Sequence, residues 1–184
     1  MQPNWFVAIE AVAEQPLSFP PLARGMRLLH PADYHVTIAF FGQLPFDPSD
    51  RIAGLLRQIR SERFCAVATE ALLLPRRDYA SVVALGFGES SETLRRVITE
   101  WRDRLRSAVD LAPERRSVLP HLTVARMKPC RDHRAIQERS RWVNELTERL
   151  PVMFSFRRIG LYTWQDPRLP NHPHYRATRW IELE

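Results

Sequence analysis

"HVTIAFF" (35–41) and "HLTVARM" (121–127) spell one phrase twice, 86 residues apart: His, an apolar residue, Thr, a β-branched residue, Ala. The chain holds six histidines and eight threonines. By chance a given His has Thr two places on in roughly one case in 25, so one match carries nothing, whereas two that agree over five positions are a signal. Both stretches alternate and are rich in β-branched residues, which reads as strand. Strand side chains point to opposite faces in turn. His35 therefore shares a face with Thr37, and His121 with Thr123. Val36, Ile38, Leu122 and Val124 point the other way and pin each strand to a core. The pattern predicts two imidazoles and two hydroxyls converging on one groove.

Outward from these strands, the chain mixes strands and helices without strict alternation, so the expected fold class is α+β. "NWFVAIE" (4–10) reads as a buried strand. Residues 11–33 read as a long Pro-rich loop with a short strand at 26–29. Asp47 and Pro48 open a helix whose apolar stripe is Ile52, Leu55, Leu56 and Ile59. "CAVATEALLLP" (65–75) and "ASVVALGFG" (80–88) read as two strands joined by "RRDY". Ser91 caps a long helix with Leu94, Val97, Ile98, Trp101 and Leu105 on one face. After the second H-x-T strand, Asp132 opens a helix carrying Ile136, Val143, Leu146 and Leu150. Strands at 152–164 and 174–184 close the chain. The order strand, loop, H-x-T strand, helix, two strands recurs roughly in each half. The expectation is one domain, 1–184, built of two intertwined lobes related by a pseudo-two-fold axis, with antiparallel-rich sheets lining a central groove and helices outside.

With 184 residues and 45% apolar content, the chain can bury a sizeable core. Its apolar runs fall short of the roughly 20 residues of a membrane helix. Its start, "MQPNWFVAIEAVAE", does not read as a signal peptide. Cytoplasm is the expected location. Cys65 and Cys130 lack C-x-x-C spacing and read as reduced thiols. Net charge is +6, and Lys128 is the only lysine. An arginine-rich surface suits a phosphate backbone, and equally a solvated face.

The chemistry of two His and two Thr is narrow. No carboxylate stands at metal-ligand spacing, no third histidine is matched, and H-E-x-x-H is absent, so neither a metal nor another cofactor is expected. Ser117 and Cys130 lie near His121 in sequence only. Paired imidazoles suit concerted acid–base catalysis near neutral pH, one accepting a proton from water and the other protonating a leaving oxygen. Thr hydroxyls can donate to oxygens where charge builds up. A phosphodiester with a sugar leaving group fits these roles, and a strained 2′,3′-cyclic phosphate fits best.

At these residues the chain resembles the two-histidine (2H) phosphoesterases, and within them the bacterial RNA 2′,3′-cyclic phosphodiesterases, also called 2′-5′ RNA ligases. "LLHPADYHVTIAFFGQLP" resembles the first signature and "LPHLTVARM" the second. "NWFVAIE" resembles the opening strand, and "RIGLYTW…HYRATRWIELE" the terminal pair, with Tyr175 at the usual tyrosine. The resemblance implies a bilobal α+β fold and metal-independent hydrolysis of cyclic phosphate ends to 2′-phosphates. It makes His35 the proton donor and His121 the acceptor. It gives Thr37 and Thr123 the phosphate, with Arg126 matching a charge-neutralising arginine. His30 and Tyr34 depart from the usual residues, which bears on substrate preference.

The expected partner is RNA with a 2′,3′-cyclic phosphate terminus, including tRNA fragments or small nucleotides, acted on by a monomer. Alternatives are a 2′-5′ ligase of tRNA halves, a relative acting on small cyclic nucleotides, and an RNA-binding module without catalysis. Phe41, Tyr162 and Trp164 are candidates to stack a base, or core aromatics. His133, His172 and His174 read as surface or loop histidines, the last two within reach of substrate if near the groove. Arg76, Arg77, Arg115 and Arg116 could track an RNA backbone or stay hydrated.

Overall fold

The structure is a computed structural model and describes residues 3–76, 79–128, 131–165 and 173–184. Among the described residues, nine strands form one sheet in which every pairing is antiparallel. They are β1 (Asn4–Ala13), β2 (Met26–Leu28), β3 (His35–Gln43), β4 (Phe64–Ala68), β5 (Glu70–Leu74), β6 (Val82–Gly86), β7 (His121–Met127), β8 (Val152–Trp164) and β9 (Tyr175–Glu182). The main order is β4-β8-β1-β3-β7-β6-β5, with β2 added to β7 and β9 added to β8. The expected α+β class is what the chain adopts. Sequence halves interleave: β8, from late in the chain, pairs with β1, while β5 and β6 reach the second H-x-T strand.

Among the described residues, three α-helices cover the sheet: α1 (Ser49–Leu56), α2 (Glu92–Ser107) and α3 (His133–Thr147). α2 packs on β3, α1 on β8 and β9, and α3 on β5. The α2 stripe of Leu94, Val97, Ile98, Trp101 and Leu105 is buried throughout, as its spacing predicts. Val36, Ile38, Leu122 and Val124 are each at most 2% exposed. That burial fixes the register, because a one-residue slip would drive all four into the groove and bury His and Thr instead.

Four expectations change. The strand read over 65–75 is broken at Thr69: β4 pairs with β8 and β5 with β6. The break carries the chain from one half of the sheet to the other, and pairing partners, which local pattern does not encode, decide where it falls. α1 ends at Leu56, and Ile59 reaches the core from the turn beyond. In α3, Val143 and Leu146 are buried, but Ile136 and Leu150 are only half-buried, and Leu150 lies past the helix end. Ser91 does stand before α2, but its hydroxyl donates to the Gly88 carbonyl and caps nothing. Asp132 does cap α3, accepting from the Arg134 backbone N–H group. At α1 the N-cap position falls on Pro48, and Asp47, one place outside it, accepts from the Ser49 backbone N–H group.

Candidate active site

β3 and β7 meet at a single pair, Val36 opposite Leu122. One step either way along that antiparallel register sets His35 across from Thr123 and Thr37 across from His121. All four are half-buried, while their neighbours Val36, Ile38, Leu122 and Val124 are in the core. The two H-x-T phrases thus form two adjacent rungs on one face of the sheet.

Each phrase then breaks the period of two. Opposite β1, Thr37 pairs with Ala8 and Ala39 with Val7, leaving Ile38 as an extra residue. Opposite β6, Thr123 pairs with Ala84 and Ala125 with Val83, leaving Val124 extra. A β-bulge of this kind re-aims the side chains beyond it. Strict alternation would put Ala39 and Ala125 on the histidine face; instead both lie in the core at 1% and 0% exposure. Phe40 and Arg126 take the histidine face in their place. No local sequence pattern marks these bulges, which strand pairing alone defines.

Both imidazoles are held the same way. His35 Nδ1 donates to the Asp33 carbonyl at 2.6 Å, and His121 Nδ1 donates to the Leu119 carbonyl at 2.7 Å. In each case the carbonyl lies two residues upstream. A carbonyl can only accept, so Nδ1 carries the proton in both rings, and Nε2 is the nitrogen not committed to that bond.

Around His35 stand three aromatics. Phe6 stacks on it at 4.8 Å, Tyr162 lies at 6.2 Å, and Tyr175 meets it edge-on at 5.4 Å. Burial, the largest cause, pushes the His35 pKa down to about 4. The positive charges of Arg126 and His121 push the same way, and the Asp33 carbonyl bond opposes them. Burial, with Glu10 adding to it, holds the Tyr162 phenol above its ordinary range.

Asp33 is a site residue that the sequence reading did not single out. It is 2% exposed, and its side chain accepts the backbone N–H groups of His174 at 2.9 Å and Tyr175 at 3.0 Å. The start of β9 is thereby tied to the residue whose carbonyl orients His35. Arg126 Nη2 donates to the Tyr175 hydroxyl at 2.8 Å, and Arg27 Nη1 donates to His174 Nε2 at 2.7 Å. The only sequence signal for Asp33 is an acidic residue two places before a candidate catalytic His. The second phrase has Leu119 there, so the repeat does not echo it.

The remaining candidates separate. Phe41 is 6% exposed and belongs to the core, so it is no stacking platform. Tyr162 packs on Phe6, and Trp164 is 41% exposed. His133 is exposed, and Arg116 pairs with Glu114. Arg76 and Arg115 are exposed, as is Cys65. Arg77, Cys130 and His172 lie outside the described residues. Among the described residues, no cluster of three His, Cys, Asp or Glu side chains is placed to hold a metal, and no helix is long and apolar enough to cross a membrane.

The fold defines a class first. Escherichia coli LigT in complex with 3′-AMP superposes with a TM-score of 0.66 at 18% identity, over 99% of both chains. A structure described as a phosphoesterase gives 0.63 at 20%, over 100% of this chain and 99% of that one. A Thermus thermophilus protein gives 0.59 at 18%, over 98% and 97%. The chain has the LigT fold. In sequence, it is 31% identical over 107 residues to the RNA 2′,3′-cyclic phosphodiesterase of Aeropyrum pernix. The match spans 58% of this chain and 60% of that relative. No family model matches the chain.

Proposed function

We propose that this chain is a 2H phosphoesterase that hydrolyses RNA 2′,3′-cyclic phosphate ends to 2′-phosphates, without a metal, as a cytoplasmic monomer of two intertwined lobes. One observation carries the reading: two imidazoles with their Nδ1 protons committed to backbone carbonyls, on one face of a shared pair of strands with two threonines and Arg126. The Aeropyrum relative named for this activity, and LigT's complex with 3′-AMP, support it.

In this reading the cyclic phosphate lies against Thr37, Thr123 and Arg126. His121 Nε2 takes a proton from water as the water oxygen bonds to phosphorus. The bond from phosphorus to the 3′ oxygen breaks, and His35 Nε2 gives that oxygen its proton. The hydroxyls and Arg126 donate to the non-bridging oxygens as charge builds up there. His35 is neutral near pH 7 in the free protein, since its pKa is about 4. It acquires its proton when the anionic phosphate of the substrate binds beside it, since a neighbouring negative charge favours the charged imidazole.

The deciding experiment is incubation with a synthetic oligonucleotide ending in a 2′,3′-cyclic phosphate, with EDTA present and the product isomer assigned. A 2′-phosphate product, lost in both His35→Ala and His121→Ala, is expected. A 3′-phosphate product, sensitivity to EDTA, or full turnover in either variant overturns the reading. Addition of a 5′-hydroxyl RNA half to the same reaction reports ligation at the same site.

A further inference from the structure

A third rung continues the two formed by the H-x-T phrases. Beyond Leu122, the edge of β7 that faces β3 is taken up by β2, which pairs Arg27 directly with Arg126. The flanking residues Met26 and Met127 are buried, so the two arginines share the groove face. Along β7 the rungs run Thr37–His121, His35–Thr123 and Arg27–Arg126. Because Val124 is a bulge, Arg126 stands one same-face step from Thr123, about 7 Å along the strand.

The charge on this rung is uncompensated. Like charges directly opposite one another on a ladder repel. Arg126 donates to a phenol, and Arg27 to an imidazole nitrogen. Arginine has no acceptor, so His174 Nε2 is the acceptor and that ring is neutral. Among the described residues, neither guanidinium meets a carboxylate. Asp33, the acidic residue of the cluster, spends its oxygens on the backbone N–H groups of His174 and Tyr175. Each guanidinium therefore keeps most of its five donors for an outside acceptor. Arg27 is also held in place: Asp33 fixes His174, and His174 receives Arg27.

We propose that Arg27, across the ladder from Arg126, forms a subsite for a second phosphate, the one on the 5′ side of the nucleotide that carries the cyclic phosphate. This rests on the function proposed above and deepens it. A cyclic phosphate closes the 3′ end of a strand, so the only neighbouring phosphate lies on the 5′ side. A same-face step of about 7 Å along a strand is close to one phosphate-to-phosphate step of a nucleic acid chain. The site thereby selects an oligonucleotide end, or a 5′-phosphorylated nucleotide, over a bare cyclic nucleoside phosphate.

The test compares kcat/KM at low salt for three substrates: a nucleoside 2′,3′-cyclic phosphate, its 5′-phosphorylated form, and a dinucleotide ending in the cyclic phosphate. The second and third are expected to lead the first by about tenfold, as one charge-assisted contact implies. In Arg27→Ala that lead collapses towards parity, and Arg27→Lys keeps part of it. Equal loss on all three substrates in Arg27→Ala, or no lead in the wild type, overturns the subsite. Binding of the non-reacting products decides the matter apart from turnover. The dinucleotide 2′-phosphate should show a steeper salt dependence than the nucleoside 2′-phosphate, and Arg27→Ala should reduce that slope by about 1. Equal slopes for the two ligands overturn the subsite. Absence of hydrolysis on every substrate, with the slope difference intact, overturns the catalytic reading alone. Because Arg27 is exposed, the variants keep the fold, which a melting curve verifies.

Discussion

The two H-x-T strands carry nearly the same phrase yet sit in different surroundings. His35 on β3 is enclosed by Phe6, Tyr162 and Tyr175, whereas among the described residues no aromatic ring contacts His121 on β7. After the matching bulges, β3 presents Phe40 to the groove and β7 presents Arg126. Two copies of one local pattern thus acquire unlike surroundings, and those of His35 push its pKa down to about 4. The enclosure comes from Phe6 on β1, which pairs with β3, and from Tyr162 on β8 and Tyr175 on β9, which follow on the same side of β3 in the sheet order. Local sequence supplies the nitrogen and its Nδ1 anchor, and the neighbours set how readily it holds a charge.

The largest expected effect tests whether both strands are needed. His35→Ala and His121→Ala should each lower kcat by about 10³-fold, in line with loss of a positioned acid or base. Wild-type kcat in either would break the pairing. Next come the hydroxyls. Thr37→Val and Thr123→Val should each reduce kcat by about 10²-fold while changing KM far less, because they serve the charge of the transition state. A pure KM effect would reduce them to ground-state contacts.

The contrast between the two rings is sharpened by proton counting. Calorimetry at pH 6 in buffers of different protonation enthalpy should reveal proton uptake when a nucleoside 2′-phosphate binds, since an anion raises a pKa that starts at about 4. His35→Gln should abolish that uptake, and its persistence would move the effect to another group. Phe6→Leu should then raise the His35 pKa towards the ordinary 6.5, followed by NMR titration, at a stability cost of about 1 kcal/mol. An unmoved titration would show that the stacked ring does not cause the depression.

The smallest effect is on stability. Unfolded, His35 takes up its proton near 6.5; folded, it does so at about 4. Between those values the unfolded chain binds more protons, so stability rises with pH across that window. The contribution is present above 6.5 and is lost as pH falls towards 4. Urea unfolding of His35→Gln should show a shallower slope over that range than the wild type, and identical slopes would contradict the shift.

Much of this was legible before any tertiary structure. Alternation named both H-x-T strands and the face on which His35, Thr37, His121 and Thr123 lie. Helical spacing found α2 to the residue at its buried positions, and Asp132 found the start of α3. These signals are local: a period of two or 3.6 and a cap depend on neighbours a few residues away. Thr69 shows the limit. Nothing in "CAVATEALLLP" marks where one strand's partner ends and another's begins.

By itself, then, the sequence determined the two H-x-T phrases, the mixed class and the sides of the strands that face the core. Tertiary structure alone decided that Arg126 faces with Thr123, that Arg27 stands across from Arg126, and that Asp33 reaches residues 141 and 142 positions away. It also decided that His35 is enclosed while His121 is not. Each of these rests on which strand lies alongside which, and a bulge, a cross-strand pair or a buried carboxyl exists only once two distant segments have chosen a common register.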